Sequence, residues 1–104
     1  MNWFDYREIR KRVRLIDLLV SMGWWPSRCR GAQLRGPCPL PDCDKPIERR
    51  SNSTFSLHVG RNIYRCFRCG SHGGVIDFWS AYRQQTITDA AKELGTIHHR
   101  PNQD

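Results

Sequence analysis

Ile9, Val13, Ile16 and Val20 recur at spacings of four, three and four, which sets them in one apolar stripe on a 3.6-residue period. Asp5 followed by Glu8 matches a capping box, so a helix is expected over 5–22. Glu8 then faces Arg12 one turn on, and Arg10, Lys11 and Arg14 point to water. Gly23 stops this helix, and Trp24-Trp25-Pro26 cannot continue it; the two tryptophans read as a lid on the core. Residues 28–36 alternate loosely and suggest one short strand, whereas 44–53 carries no periodicity and reads as a polar loop. Phe55, Leu57 and Val59 alternate with Thr54, Ser56 and His58, the pattern of a half-buried strand. Gly60-Arg61-Asn62 supplies a turn, and Ile63 to Phe67 returns as the partner strand. Val75, Phe78, Trp79 and Tyr82 stand at i, i+3, i+4 and i+7 and mark a second helix. Thr86 with Asp89 caps a third, carrying Ile87, Ala90, Ala91 and Leu94 and ending at Gly95.

These elements describe an α+β domain in which helices flank a small antiparallel sheet. With 104 residues there is room for one core, placed at 1–95, with 96–104 expected to be a flexible C-terminal tail. A core of this size is often marginal without a staple. No run of eighteen apolar residues occurs, which argues against a membrane-spanning helix. The first residues lack the basic and apolar regions of a signal peptide, so a cytoplasmic location is expected.

The charge is uneven. Net charge is +7, yet residues 28–68 hold nine basic and three acidic side chains, while 69–104 hold three and four. The excess therefore coincides with the cysteine-bearing segment. A localised basic patch is the electrostatic footprint of a nucleic-acid binder, although a solvated basic face has the same composition.

Five cysteines in a chain expected to be cytoplasmic argue against disulfides. Four of them pair by spacing, as Cys38-x4-Cys43 and Cys66-x2-Cys69. Two thiolates a few residues apart fit one tight turn, and two such turns complete a tetrahedral Zn²⁺ site. Gly70 permits the left-handed backbone such a turn needs, and Pro39 and Pro41 stiffen the first loop. One structural Zn²⁺ held by Cys38, Cys43, Cys66 and Cys69 is the expected cofactor, in a sheet of zinc-ribbon type. His72, in a glycine-rich stretch, is an alternative fourth ligand. Cys66-Phe67-Arg68-Cys69 also has the spacing of a redox dithiol, but it follows a hairpin and not a βαβ strand. Asp42 and Asp44 form a weak carboxylate pair for Mg²⁺. Cys29 is left over, and burial is the simplest expectation for it.

From Leu34-Arg35-Gly36-Pro37-Cys38 onward, through Phe55-Ser56-Leu57 and Tyr64 to Gly74, and closing at Val75-Ile76-Asp77-Phe78, the chain resembles the N-terminal zinc-binding domain of bacterial-type DNA primases. That family uses Cys, His, Cys and Cys as ligands; here Pro41 stands in the histidine's place, and Cys43 is its natural substitute. The Glu48-Arg49-Arg50-Ser51 segment is an insertion relative to the family.

The resemblance implies a module that reads single-stranded DNA template in replication, primer synthesis or a mobile element. Its partner would be a separate primase catalytic chain or a helicase. The family's catalytic core, with its Mg²⁺-holding acids, has no counterpart in this sequence, so no catalytic role is expected. Arg35, Arg49, Arg50, Arg61, Arg65 and Arg68 are the expected phosphate contacts, supported by Arg28, Arg30 and Lys45. Tyr64 is the favoured base-stacking residue, ahead of Phe67 and Phe55. An alternative class is a zinc-stabilised adaptor whose basic face meets an acidic protein.

Overall fold

The computed structural model describes residues 5–43 and 53–98. The elements run α1 (Tyr6–Arg12), α2 (Leu15–Ser21), β1 (Arg28–Arg30), β2 (Gln33–Gly36), β3 (Phe55–His58), β4 (Ile63–Cys66), β5 (His72–Gly73), α3 (Val75–Arg83) and α4 (Ile87–His98). All five strands form one antiparallel sheet in sequence order. The expected α+β class and antiparallel sheet are therefore present.

The N-terminal stripe does not form one helix. Asp5 caps α1 by accepting from the Arg7 N–H at 2.9 Å, and Arg12 donates to Glu8 at 3.1 Å. The chain then becomes extended at Val13 and Arg14 before α2 begins. Asn62 occupies this break: its Oδ1 accepts from the Leu15 N–H at 2.7 Å, and its Nδ2 donates to the Arg10 and Val13 carbonyls at 3.0 and 2.9 Å. Groups that a continuous helix would pair internally are thus satisfied from the β3–β4 turn. The shift in phase buries Leu15, Leu18 and Leu19 and leaves Val20 exposed. Arg14, expected in water, is half-buried and donates to the Val59 carbonyl.

Three further expectations change. Residues 28–36 form a hairpin, because Gly31 takes a left-handed φ of 58° between β1 and β2. His72 and Gly73 pair with Arg65 and Tyr64 as β5. The last helix passes through Gly95 to His98. Residues 99–104, the remainder of the expected tail, and all but Ser53 of the polar loop expected at 44–53 lie outside the described residues.

Alternation sorts the sheet into two faces. Leu34, Leu57 and Tyr64 share one register row, and Gly36, Phe55 and Cys66 the next. Of these, Phe55, Leu57, Tyr64 and Cys66 are buried with Phe78, Leu94 and the α2 leucines. Phe78 meets Phe55 and Tyr64 edge-on at 6.1 and 5.4 Å, and Trp24 meets Phe55 at 5.7 Å, spacings typical of favourable aromatic pairs. Trp24 is the expected lid, with its Nε1 donating to the Pro37 carbonyl at 2.7 Å, whereas Trp25 is exposed.

Asp89 N–H donates to Thr86 Oγ1 at 3.1 Å, the expected cap of α4. Glu93 locks α4 to α3 by accepting from Trp79 Nε1 at 2.7 Å and Arg83 Nε at 3.2 Å. Those contacts, the indole N–H first, hold its carboxyl below the usual range.

Candidate metal centre and the basic sheet face

The two cysteine pairs are carried to one point by different means. Cys66 ends β4, and the chain reverses after it: Gly70, with φ of 81°, returns its N–H to the Cys66 carbonyl at 2.9 Å. Cys38 follows β2 directly, and the loop through the buried Leu40 closes when the Cys43 N–H reaches the Leu40 carbonyl at 3.3 Å. Because β2 and β4 flank β3, the two turns converge at one end of the sheet.

The Sγ atoms of Cys38, Cys43, Cys66 and Cys69 all lie within 4.8 Å of one another, and those of Cys43 and Cys66 are 3.9 Å apart. Four sulfurs at Zn–S distances near 2.3 Å in a tetrahedron would be separated by about 3.8 Å. The donor set is soft, complete and of the right size for one Zn²⁺. Three of the cysteines are buried and Cys69 is exposed, so the site is closed toward the core and approached from the second turn. Asp42 in the first loop accepts from Gln84 Nε2 at 2.8 Å, which ties that loop to the end of α3 and gives this carboxylate a structural partner.

The electrostatics suit deprotonation at one sulfur and metal-driven deprotonation at others. Burial pushes the Cys38 thiol far up, against a backbone hydrogen bond from Leu40, and the Cys66 and Cys43 sulfurs add to the rise. Burial likewise raises Cys69. At Cys66 burial also acts upward, but backbone N–H groups of Cys69 and Arg68, each 3.4 Å from its Sγ, turn the balance and lower it. Backbone donors aimed at one sulfur are what a metal-bound thiolate needs.

His72 is outside this cluster. It lies opposite Arg65 in the sheet, is exposed, and its Nδ1 sits 3.0 Å from the Gly70 carbonyl oxygen. Cys29 is exposed on β1, contrary to the expected burial, because β1 is an edge strand whose residues are all exposed.

The outward face of the sheet is basic. One register row reads Arg28, Arg35, Ser56, Arg65 and His72 across all five strands, a width of about 19 Å at the usual strand spacing. Tyr64, the expected stacking residue, is not on this face. It is 3% exposed, its ring stacks on Phe55 at 5.5 Å, and its hydroxyl meets Ser71 Oγ at 2.6 Å; burial pushes its pKa up to about 12.

Phe67 presents its ring on this face instead. It is 57% exposed, with the Arg35 guanidinium 4.8 Å from its ring centroid and that of Arg65 at 5.5 Å. The signal was available in the sequence: Cys66 must face inward to reach the metal, so Tyr64 shares its face and Phe67 takes the other. Arg61 and Arg68 are exposed at the β3–β4 turn and the second cysteine turn, whereas Lys45, Arg49 and Arg50 lie outside the described residues.

Comparison with known proteins agrees with this geometry. The model of the CHC2 zinc finger family matches residues 5–103. A DNA primase of Lactococcus lactis is 35% identical over 87 residues, which cover 84% of this chain and 12% of that protein. A DNA primase of Salmonella typhimurium is 30% identical over 87 residues, 84% of this chain and 13% of the relative. The crystal structure of the Aquifex aeolicus primase, comprising zinc-binding and RNA polymerase domains, superposes with a TM-score of 0.69 at 26% identity, covering 94% of this chain and 22% of that one. The chain thus spans about an eighth of the length of these two relatives.

Proposed function

The chain belongs to the CHC2 zinc finger family, and from that premise we propose that it is a zinc-organised module that binds single-stranded DNA template for a primase catalytic core. In this reading the metal is structural: held by Cys38, Cys43, Cys66 and Cys69, it would tie the buried first turn to the second, whose residues 67–70 are all exposed. The chain's own contribution is a rigid, charged platform. Catalysis of primer synthesis falls to that core, with a helicase as a further candidate partner.

The observation that carries the reading is Phe67 between Arg35 and Arg65 on the exposed sheet face. An aromatic ring flanked by cations offers one base a stacking surface while the guanidiniums meet the adjoining phosphates. Arg61 and Arg68 extend the positive surface along either end of β4. None of these side chains needs to read a base edge, so affinity would follow charge and stacking more than sequence.

The test is fluorescence anisotropy of the zinc-loaded protein with a labelled single strand across a salt series. Neutralising four phosphates gives a slope of log affinity against log salt of about −2.8. Binding that is absent at low salt, or indifferent to salt, contradicts the reading.

A further inference from the structure

At the β1 edge of the same face lies an open cleft of about 690 Å³ lined by Arg28, Cys29, Arg30, Gln33, Arg35 and Ser53. Its volume falls within the range of small-ligand sites. Arg28 and Arg35 are direct cross-strand partners, as are Arg30 and Gln33. Like charges placed opposite each other repel, and no acidic side chain is among the described residues that line the cleft. Arg35 Nε donates to the Ser53 carbonyl at 3.0 Å, yet the three guanidiniums gathered here have no described acidic side chain in the cleft to offset them.

Resting on the strand-binding reading above, we propose that this cleft is a subsite for a phosphate group carrying about two or more negative charges: the terminal phosphate of an oligonucleotide or the polyphosphate of a nucleotide. An internal phosphodiester carries a single charge and leaves three guanidiniums undercompensated. A terminal phosphomonoester carries about −1.5 to −2 at neutral pH and offers three oxygens to planar N–H forks. Arg35 joins the two parts of the site, since it lines the cleft and also lies over Phe67. A nucleotide could stack its base on Phe67 while its terminal phosphate enters the cleft.

A thiol placed among the guanidiniums supplies a direct probe: Gln33 lines the cleft, is exposed and, as the cross-strand partner of Arg30, shares its face, so the variant Gln33→Cys carries the reporter there, while Cys29, paired with Leu34 on the other face, serves as the internal control. In zinc-loaded Q33C, the alkylation rates of the thiol at position 33 and of Cys29 by iodoacetamide, a neutral reagent, are followed by peptide mass spectrometry, and protection means slowing at position 33 alone. The ligands added are ATP, pyrophosphate, or one oligonucleotide made with a 5′-phosphate, a 3′-phosphate or hydroxyl ends. Protection by an end-phosphorylated strand, at concentrations where the hydroxyl-ended strand protects little, identifies a strand terminus. Protection by ATP or pyrophosphate identifies a free polyphosphate.

In parallel anisotropy titrations the end-phosphorylated strand binds roughly tenfold more tightly than the hydroxyl-ended one. In R28Q/R30Q that ratio falls to one, and circular dichroism checks the fold. Equal affinity of all three strands, together with an unprotected thiol at position 33 of Q33C in ATP and pyrophosphate, overturns the cleft assignment while leaving strand binding intact. A ratio unchanged in R28Q/R30Q overturns it as well. Failure of every strand to bind overturns the strand reading, and the ATP and pyrophosphate arms still decide the cleft.

Discussion

The side-chain amide of Asn62 caps the backbone of Leu15 from 47 residues away, its Oδ1 accepting the Leu15 N–H at 2.7 Å. The same side chain donates to Arg10 and Val13, so the β3–β4 turn and the α1–α2 break are one structural unit. Asn62 is buried and sits at a φ of 59°, a conformation Asn tolerates better than most residues.

Asn62→Ala removes three hydrogen bonds, leaves buried backbone groups unpaired and retains the left-handed strain. It is expected to lower stability by about 2–4 kcal/mol, read by urea denaturation of the zinc-loaded protein. Asn62→Asp keeps the acceptor for Leu15 but loses the donor to the two carbonyls, and should also destabilise. A loss within about 0.5 kcal/mol for Asn62→Ala contradicts the role given to this side chain.

Gly36 lies two residues before Cys38, and a Cβ there would come within 2.6 Å of the Trp24 ring. The ring cannot retreat freely, because it packs on Phe55 and is bonded to Pro37. Gly36→Ala should therefore cost about 1–3 kcal/mol, the usual range for overpacking. Since the first cysteine turn follows directly, the variant should also release zinc more readily to a chelator.

Phe67 and Tyr64 separate binding from folding. Phe67→Ala is expected to weaken single-strand binding by about 1–3 kcal/mol, or roughly 5- to 150-fold, with the melting temperature nearly unchanged because the ring is exposed. Tyr64→Phe should leave binding unaltered and lower stability by about 1 kcal/mol through loss of the Ser71 hydrogen bond. The opposite pattern would return the stacking role to Tyr64.

Zinc uptake should release protons. Burial raises Cys38 and Cys69 above the ordinary thiol value, so both enter the neutral range protonated and must lose their protons to bind metal. Binding that releases protons strengthens as pH rises, so apparent zinc affinity should increase from pH 6 to pH 8 and fall on acidification. Calorimetry in buffers of different ionisation enthalpy should report at least two protons per zinc. A pH-independent affinity would contradict this assignment of ligands.

The metal centre was legible in the sequence because its logic is local. Each cysteine pair needs only a short spacing and a permissive turn, and the hairpin that joins them announces itself by alternation. The break at Val13 was not legible, because Ile9, Val13, Ile16 and Val20 keep a continuous helical period. What interrupts them is Asn62, a tertiary partner invisible to any window along the chain. The β1–β2 hairpin was missed for a related reason: β1 is exposed on every residue and carries no apolar period, so only Gly31 hinted at a turn. Cys29 follows from this, since a cysteine in an uncovered edge strand has nothing to bury it. The choice between Tyr64 and Phe67 was within reach, fixed by the inward requirement on Cys66.

The central claim is that one Zn²⁺, clamped by four cysteines, holds two distant turns together under the basic face. Native mass spectrometry of the purified protein, paired with circular dichroism during chelation, tests it most directly. The expected result is one zinc per chain, lost together with the fold on chelation, with Cys66→Ser unable to hold the metal and Cys29→Ser indistinguishable from the parent. A chain that stays folded without metal, its cysteines all reacting freely, would contradict it.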